Sequence, residues 1–124
     1  MDHLHVLIVD DEEELVDALV ERLELRGIDA HGVNSGKEAL QHIRQHSYDV
    51  VLLDVKMPDG GGLAVIREIK QIQPSLQVVL LTGHTCSQDA QEGMRLGAFE
   101  YLMKPVKLQN LMEVLRAAAK RGKS

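Results

Sequence analysis

Residues 49–54 read DVVLLD, four apolar side chains in a row closed at both ends by aspartate. The run is too short for a stable helix and lacks the alternation of a half-exposed strand. It therefore predicts a strand buried on both faces. It also stops on a carboxylate, Asp54, and three further apolar runs end in the same way. VLIVDD closes on Asp10 and Asp11, VVLLT on Thr82, and YLMKP on Lys104. Strand ends are where open parallel sheets place their ligands. Three carboxylates, a hydroxyl and an ammonium delivered there form a set suited to a hard cation and a phosphoryl group.

Outward from residues 49–54, short β-branched runs alternate with stretches of helical period. Upstream, residues 4–9 (LHVLIV) predict a strand, and Val16, Leu19, Val20 and Leu23 then form an i, i+3, i+4, i+7 stripe that ends at Gly27, a C′ residue. Residues 28–33 predict a weaker strand at a sheet edge. Ser35 and Glu38 make a capping box that opens a helix carrying Ala39, Leu40 and Ile43. Downstream, residues 58–62 (PDGGG) have turn chemistry, and Ile66, Ile69 and Ile72 mark a helix stopped by Pro74. Residues 77–81 predict another strand. The segment 86–96 predicts the poorest helix: its inward face offers Ala90, Met94 and Leu96, and it contains Gly93, at about 1 kcal/mol relative to alanine. Residues 99–103 predict a short strand. A strong last helix carries Leu108, Leu111, Met112, Leu115, Ala118 and Ala119 on one face, with Lys120 and Arg121 favouring its C-terminal dipole before Gly122. Five strands alternating with five helices imply right-handed βαβ crossovers and an α/β fold with a parallel sheet covered on both faces.

The chain has 124 residues, a length that predicts one domain, residues 1–124. Its 44% hydrophobic and 27% charged content is that of an ordinary globular protein, and no stretch has linker or low-complexity composition. A net charge of −5 argues against direct nucleic-acid binding, which needs a basic face. The single cysteine, Cys86, allows no internal disulfide and favours a reducing, cytoplasmic setting. No apolar run approaches the roughly 20 residues of a membrane span, and no charged leader precedes one. Neither membrane association nor export is expected.

Three carboxylates drawn together raise one another's pKa unless a cation neutralises them. Oxygen-only ligands suit Mg²⁺ or Mn²⁺, and Mg²⁺ takes one or two carboxylates, waters and phosphate oxygens. A carboxylate can also attack phosphorus to give an aspartyl-phosphate, with a metal and an ammonium stabilising the transferring oxygens. Each residue has a plainer explanation. Residues 10–14 are five acids at a helix start, where the macrodipole favours them without any metal. Asp54 could cap a loop, Lys104 could make a surface ion pair and Thr82 could serve in a turn. Those separate explanations leave the coincidence at four successive strand ends unaccounted for.

The motifs VLIVDDEEE, DVVLLDVKMPDGGGL, VVLLTGH and GAFEYLMKP, in this order, resemble those of response-regulator receiver domains, the phosphoacceptor modules of two-component signalling. The resemblance covers essentially the whole chain. It implies a (βα)5 doubly wound, flavodoxin-like fold with strand order 2-1-3-4-5, which would set Asp10 and Asp11 across the switch point from Asp54. It further implies that Asp54 accepts the phosphoryl group and that Asp10, Asp11, Asp54 and the main-chain carbonyl of Lys56 hold Mg²⁺, with Asp11 the more direct ligand of the acidic pair. Thr82 and Lys104 match the switch hydroxyl and the lysine of the site. Tyr101 matches the aromatic switch position, expected to move from a solvent-facing place into space vacated by Thr82. Pro105 matches a cis-proline, and Gly83 leaves the phosphate approach open.

The implied function is Mg²⁺-dependent phosphorylation of Asp54 by a sensor histidine kinase or phosphotransfer protein. The protein would then be a switch that catalyses only its own phosphorylation and hydrolysis, and no enzyme in the usual sense. The face formed by residues 86–120 would control an output domain or target protein, with transcription regulation and a phosphorylation-dependent homodimer among the outputs. The wording TGH and GAFEYLMKP is similar to receivers that precede ATPase-type transcriptional activators, so the domain is expected either alone or within a longer regulator. Two rivals differ in class. A haloacid-dehalogenase-type phosphohydrolase needs a second aspartate two residues after the nucleophile, where this chain has Lys56. A phosphorylation-independent interaction module of the same fold is not removed by the sequence, although complete site chemistry would be of no use to it.

Other signals are weaker. His42 and His46 lie i, i+4 on a predicted helix but lack a third ligand, and read as an exposed polar face. His84 and Cys86 have the same shortage, although Lys56 and His84 occupy positions expected to tune dephosphorylation. Met57, Met94, Met103 and Met112 read as core filling. Residues 60–62 are not a P-loop, since no Lys-Ser/Thr follows.

Overall fold

The computed structural model describes residues 4–57, 61–83 and 88–123. In chain order the elements are β1 (His5–Val9), α1 (Glu13–Glu24), β2 (Asp29–Val33), α2 (Gly36–Gln45), β3 (Val50–Asp54), α3 (Gly61–Ile72), β4 (Gln77–Thr82), α4 (Gln88–Arg95), β5 (Glu100–Met103) and α5 (Leu108–Gly122). The strands form one parallel sheet in the order β2-β1-β3-β4-β5. This is the expected doubly wound, flavodoxin-like (βα)5 arrangement. β3 is its axis, and all five of its residues are buried.

Strand alternation sorts the core into two halves. Leu7, Val9, Val51, Leu53, Val78 and Leu80 face one side, packed with residues of α2 and α3 such as Ala39, Ile43, Ile66 and Ile69. Val6, Ile8, Val50, Leu52, Val79 and Leu81 face the other, packed with Val16, Leu19 and Leu23 of α1 and with Leu111 and Leu115 of α5. Both halves are needed to make unbroken apolar strands stable, which is why VVLLD can be apolar at every position.

Local chemistry explains the helix ends. Ser35 is the N-cap of α2, its hydroxyl oxygen accepting from the Glu38 N–H at 3.2 Å. After α1 the Ile28 N–H donates to the Leu23 carbonyl and the Gly27 N–H to that of Glu24. This is a Schellman closure that needs Gly27 at φ 81°. Gly97, at φ 113°, closes α4 through the same pair of bonds, from Ala98 to Gly93 and from Gly97 to Met94.

Two boundaries depart from expectation. Gly61 and Gly62, read as turn residues, lie inside α3. A Cβ on Gly62 would sit 2.5 Å from the Asp54 carbonyl oxygen, so glycine here admits the start of α3 to the end of β3. Residues 58–60 of that turn lie outside the described residues. α5 runs on to Gly122, one residue past the expected stop.

Among the described residues, α4 is the shortest helix and buries only Ala90 and Gly93, with Met94 and Leu96 half-buried. Gly93 is more than a propensity cost, because a Cβ there would lie 2.4 Å from Leu80 Cδ1. α5, by contrast, fully buries Leu111 and Leu115. Burying a leucine is worth about 1.5–3 kcal/mol, so α5 has two anchors of a kind that α4 lacks. Met57 is buried and Met112 half-buried, but Met103 is 44% exposed and not core filling, because it stands at the end of an edge strand.

Candidate functional site

The sheet register brings the four strand ends together. Val9 pairs with Leu53, so the residues that follow, Asp10 and Asp54, emerge side by side from β1 and β3. Asp54 pairs with Leu81, which puts Thr82 one step beyond it on β4. Thr82 pairs with Met103, which puts Lys104 one step beyond that on β5. The Lys104 N–H donates to the Thr82 carbonyl at 2.8 Å, and the Lys104–Pro105 peptide is cis.

Among the described residues, the buried polar and charged side chains are Asp10, Asp54 and Thr82. Burying such groups costs several kcal/mol unless they find partners, so their concentration at one sheet edge marks this place as special. Ligand atoms of Asp10, Asp11 and Asp54 lie within 4.8 Å of one another. Asp10 Oδ1 accepts from the Glu12 N–H at 2.9 Å, and its main-chain carbonyl accepts from Asn34 Nδ2 at 3.1 Å. Its other carboxylate oxygen, Oδ2, is sealed from solvent and has no hydrogen bond. Asp54 Oδ1 accepts from the Lys56 N–H at 3.2 Å.

Lys104 supplies the positive charge. Its Nζ stands 2.9 Å from Asp10 Oδ2, close enough for an ion pair though not aligned for a hydrogen bond. It lies 3.0 Å from Glu12 Oε1 and 3.8 Å from Asp54 Oδ2. One ammonium serving a crowd of acids leaves the site short of cations. The effect is visible in Asp54, whose pKa is pushed up to about 6 by burial and then by the Asp10 charge, against the pull of the Lys56 N–H and Lys104. For Lys104 burial lowers the pKa, but Asp10, Glu12 and Asp54 outweigh it and lift the ammonium to about 12. A buried, hydrogen-bond-free carboxylate oxygen beside two further acids is a donor set that fits a small hard cation.

Thr82 and Tyr101 share the side of the sheet on which α4 packs, since Tyr101 pairs with Leu80, two residues before Thr82. Tyr101 is not solvent-facing as expected. It is half-buried and packed against the core, next to a helix too sparse in large side chains to exclude it. The Lys56 side chain is exposed and points to Asp89 of α4 at 4.0 Å, so only its main chain touches the site. A Cβ on Gly83 would meet nothing within 4 Å. His84 and Cys86 lie outside the described residues.

The residue that sequence reasoning missed is Glu12. It reads as one of five helix-start acids, yet its carboxylate binds a lysine 92 positions away. Only the side-by-side placement of the strand ends shows this.

The fold and the site together describe a parallel α/β domain with an acidic cluster and one shared lysine at its switch point. Known proteins of that description are close at hand. The family model described as "Response regulator receiver domain" matches residues 6–116. The transcriptional regulatory protein ZraR of Escherichia coli K12 is 34% identical over 117 residues, covering 94% of this chain and 26% of that protein. A CpxR homolog of Haemophilus influenzae is 38% identical over 119 residues, covering 96% of this chain and 52% of that protein. The crystal structure of a receiver domain from Clostridium thermocellum superposes with a TM-score of 0.90 at 38% identity, covering 97% of each chain.

The chain belongs to the response-regulator receiver family. It spans about a quarter to a half of the length of these curated relatives. Receiver domains are signal transducers that partner histidine kinases. Among the described residues, no helix is long and apolar enough to cross a membrane.

Proposed function

We propose that the chain is a single receiver domain, residues 1–124, in which Asp54 accepts a phosphoryl group from a histidine kinase or a phosphotransfer protein. The observation that carries this reading is the gathering of Asp10, Asp11 and Asp54 within 4.8 Å, with Lys104 as their shared ammonium. Asp10, Asp11, Asp54 and the Lys56 carbonyl are the groups that would hold Mg²⁺. When bound, the ion neutralises the acids and the charge on the transferring phosphoryl oxygens.

The chain's own residues do the rest. An Asp54 carboxylate oxygen attacks phosphorus as the bond from phosphorus to the donor's imidazole nitrogen breaks, and the imidazole leaves with the electron pair. The Lys56 N–H orients the attacking carboxylate. Lys104 lies between Asp10, Glu12 and Asp54, and a phosphoryl group on Asp54 would draw it away from Glu12. The Thr82 hydroxyl would donate to a phosphoryl oxygen, opening room on the face it shares with Tyr101. That shift biases an existing equilibrium towards a state with Tyr101 further in and α4 displaced. α4 is the element suited to move because it has few apolar anchors.

The face of α4, β5 and α5, with exposed Met103 on it, would read the change out to an output domain or target. The names of the relatives tie them to transcription, and control of transcription is proposed here through such an output. The domain itself, at a net charge of −5, is proposed not to bind nucleic acid. We place it in the cytoplasm with its kinase.

Incubation with acetyl phosphate and Mg²⁺, followed by intact mass measurement, tests the reading. One phosphoryl group should appear on the wild type and none on Asp54→Ala. Absence of the adduct, or equal uptake by the variant, would refute it.

A further inference from the structure

β2 is an edge strand, and His31 pairs with Leu7, so it stands on the α2 side of the sheet. There it meets His42 of α2 and His46 at that helix's C-cap, the pair that seemed to lack a third partner. The His31 and His42 ring centroids are 4.5 Å apart, and those of His42 and His46 are 5.6 Å apart. Tyr48 closes the group, its ring centroid 6.5 Å from that of His46 and its hydroxyl 3.3 Å from His42 Nδ1. A strand, a helix and that helix's C-cap thus bring three imidazoles to one place, away from the strand ends that hold the carboxylates.

We propose that His31, His42 and His46 form a second metal site, for Zn²⁺, separate from the carboxylate site. Three protein ligands with the remaining position left to water are the complement of an open zinc site. Imidazole favours borderline ions such as Zn²⁺, whereas the all-carboxylate pocket favours Mg²⁺, so donor chemistry alone sorts the two metals. His42 Nδ1 lies 3.3 Å from the Tyr48 hydroxyl; in the tautomer that carries its proton on Nδ1 the ring donates to that oxygen and Nε2 keeps its lone pair, the outer-shell arrangement that orients a metal-binding histidine. Burial, then the neighbouring His31 and His46, lower the pKa of His42 against the influence of Glu38, which keeps the ring neutral and ready to coordinate. The three rings do not yet converge on one point. His31 and His46 are exposed, so their side chains have room to turn towards His42.

Titration of the full chain with ZnCl₂ in saturating Mg²⁺, followed by calorimetry and by the imidazole NMR signals, tests the site. One equivalent should bind, moving the signals of His31, His42 and His46 and sparing His5. His42→Ala should weaken Zn²⁺ binding about tenfold or more, and Tyr48→Phe by a smaller factor. His5→Ala, which removes an imidazole paired with Asp29 outside the cluster, should bind as the wild type does. No saturable binding, undiminished binding by His42→Ala, or shifts confined to other histidines would overturn the proposal. Should His42→Ala fail to fold, the wild-type NMR titration decides by itself.

Discussion

Asp10 and Asp54 stand buried at the ends of β1 and β3, two of the three inner strands, whereas Tyr101 lies on β5 and Lys104 directly after it, β5 being an edge strand whose residues are half-buried or exposed. The carboxylate side of the site is thus fixed by core packing on both faces of the sheet. The side that carries Tyr101 rests against α4, which over its described residues buries little beyond an alanine and a glycine. Charge follows the same division: the rigid side concentrates unbalanced carboxylates, and the looser side carries the ammonium that answers them. The proposed switch depends on this inequality, since a phosphoryl group could move only what is not already locked.

The largest expected effect comes from disturbing the rigid side. Leu53→Ala, directly before Asp54 and fully buried, should cost about 2–5 kcal/mol in urea unfolding. Tyr101→Ala on the edge strand should cost clearly less. Equal costs would break the contrast.

Next in size is the charge on Asp54. Its folded-state pKa of about 6 lies above the ordinary 3.8, so the folded protein binds the proton more tightly than the unfolded chain. Without metal, stability should therefore fall as pH rises from 3.8 through about 6, by about 3 kcal/mol from this group. Asp54→Asn should remove that fall and be the more stable protein at pH 7 in EDTA. A flat wild-type profile over this window, with a variant no more stable, would contradict the proposed electrostatic crowding.

The smallest effect concerns Glu12. It is an exposed partner of Lys104, so Glu12→Gln should change stability by less than about 1 kcal/mol. The same substitution should leave Lys104 nearer Asp54, seen as a changed Nζ resonance. An unchanged resonance would mean that Glu12 has no hold on the lysine.

Much of this division is legible in the chain. VVLLD, VLIVDD, VVLLT and YLMKP show both the buried strands and the polar stops because each depends on adjacent residues only. The weakness of α4 is legible for the same reason. Strand order came from family resemblance, and what depends on which strands touch was hidden. The fit of Gly62 against the Asp54 carbonyl, the half-buried place of Tyr101, the grip of Glu12 on Lys104 and the arrival of His31 beside His42 all join residues distant in sequence. Gly61 and Gly62 misled because glycine suits a turn and a close approach equally well. Met103 misled because an edge strand leaves one more side chain uncovered than an inner one.

The central claim is that what binds at Asp54 is felt across the sheet edge at Tyr101 and α4. Amide NMR spectra with Mg²⁺, before and after beryllofluoride as a phosphoryl mimic, test it most directly. The account predicts shifts at Asp10, Asp54 and Thr82 that continue through Tyr101 and α4, all absent in Asp54→Ala. Shifts that stop at the carboxylates, or that persist in the variant, would contradict it.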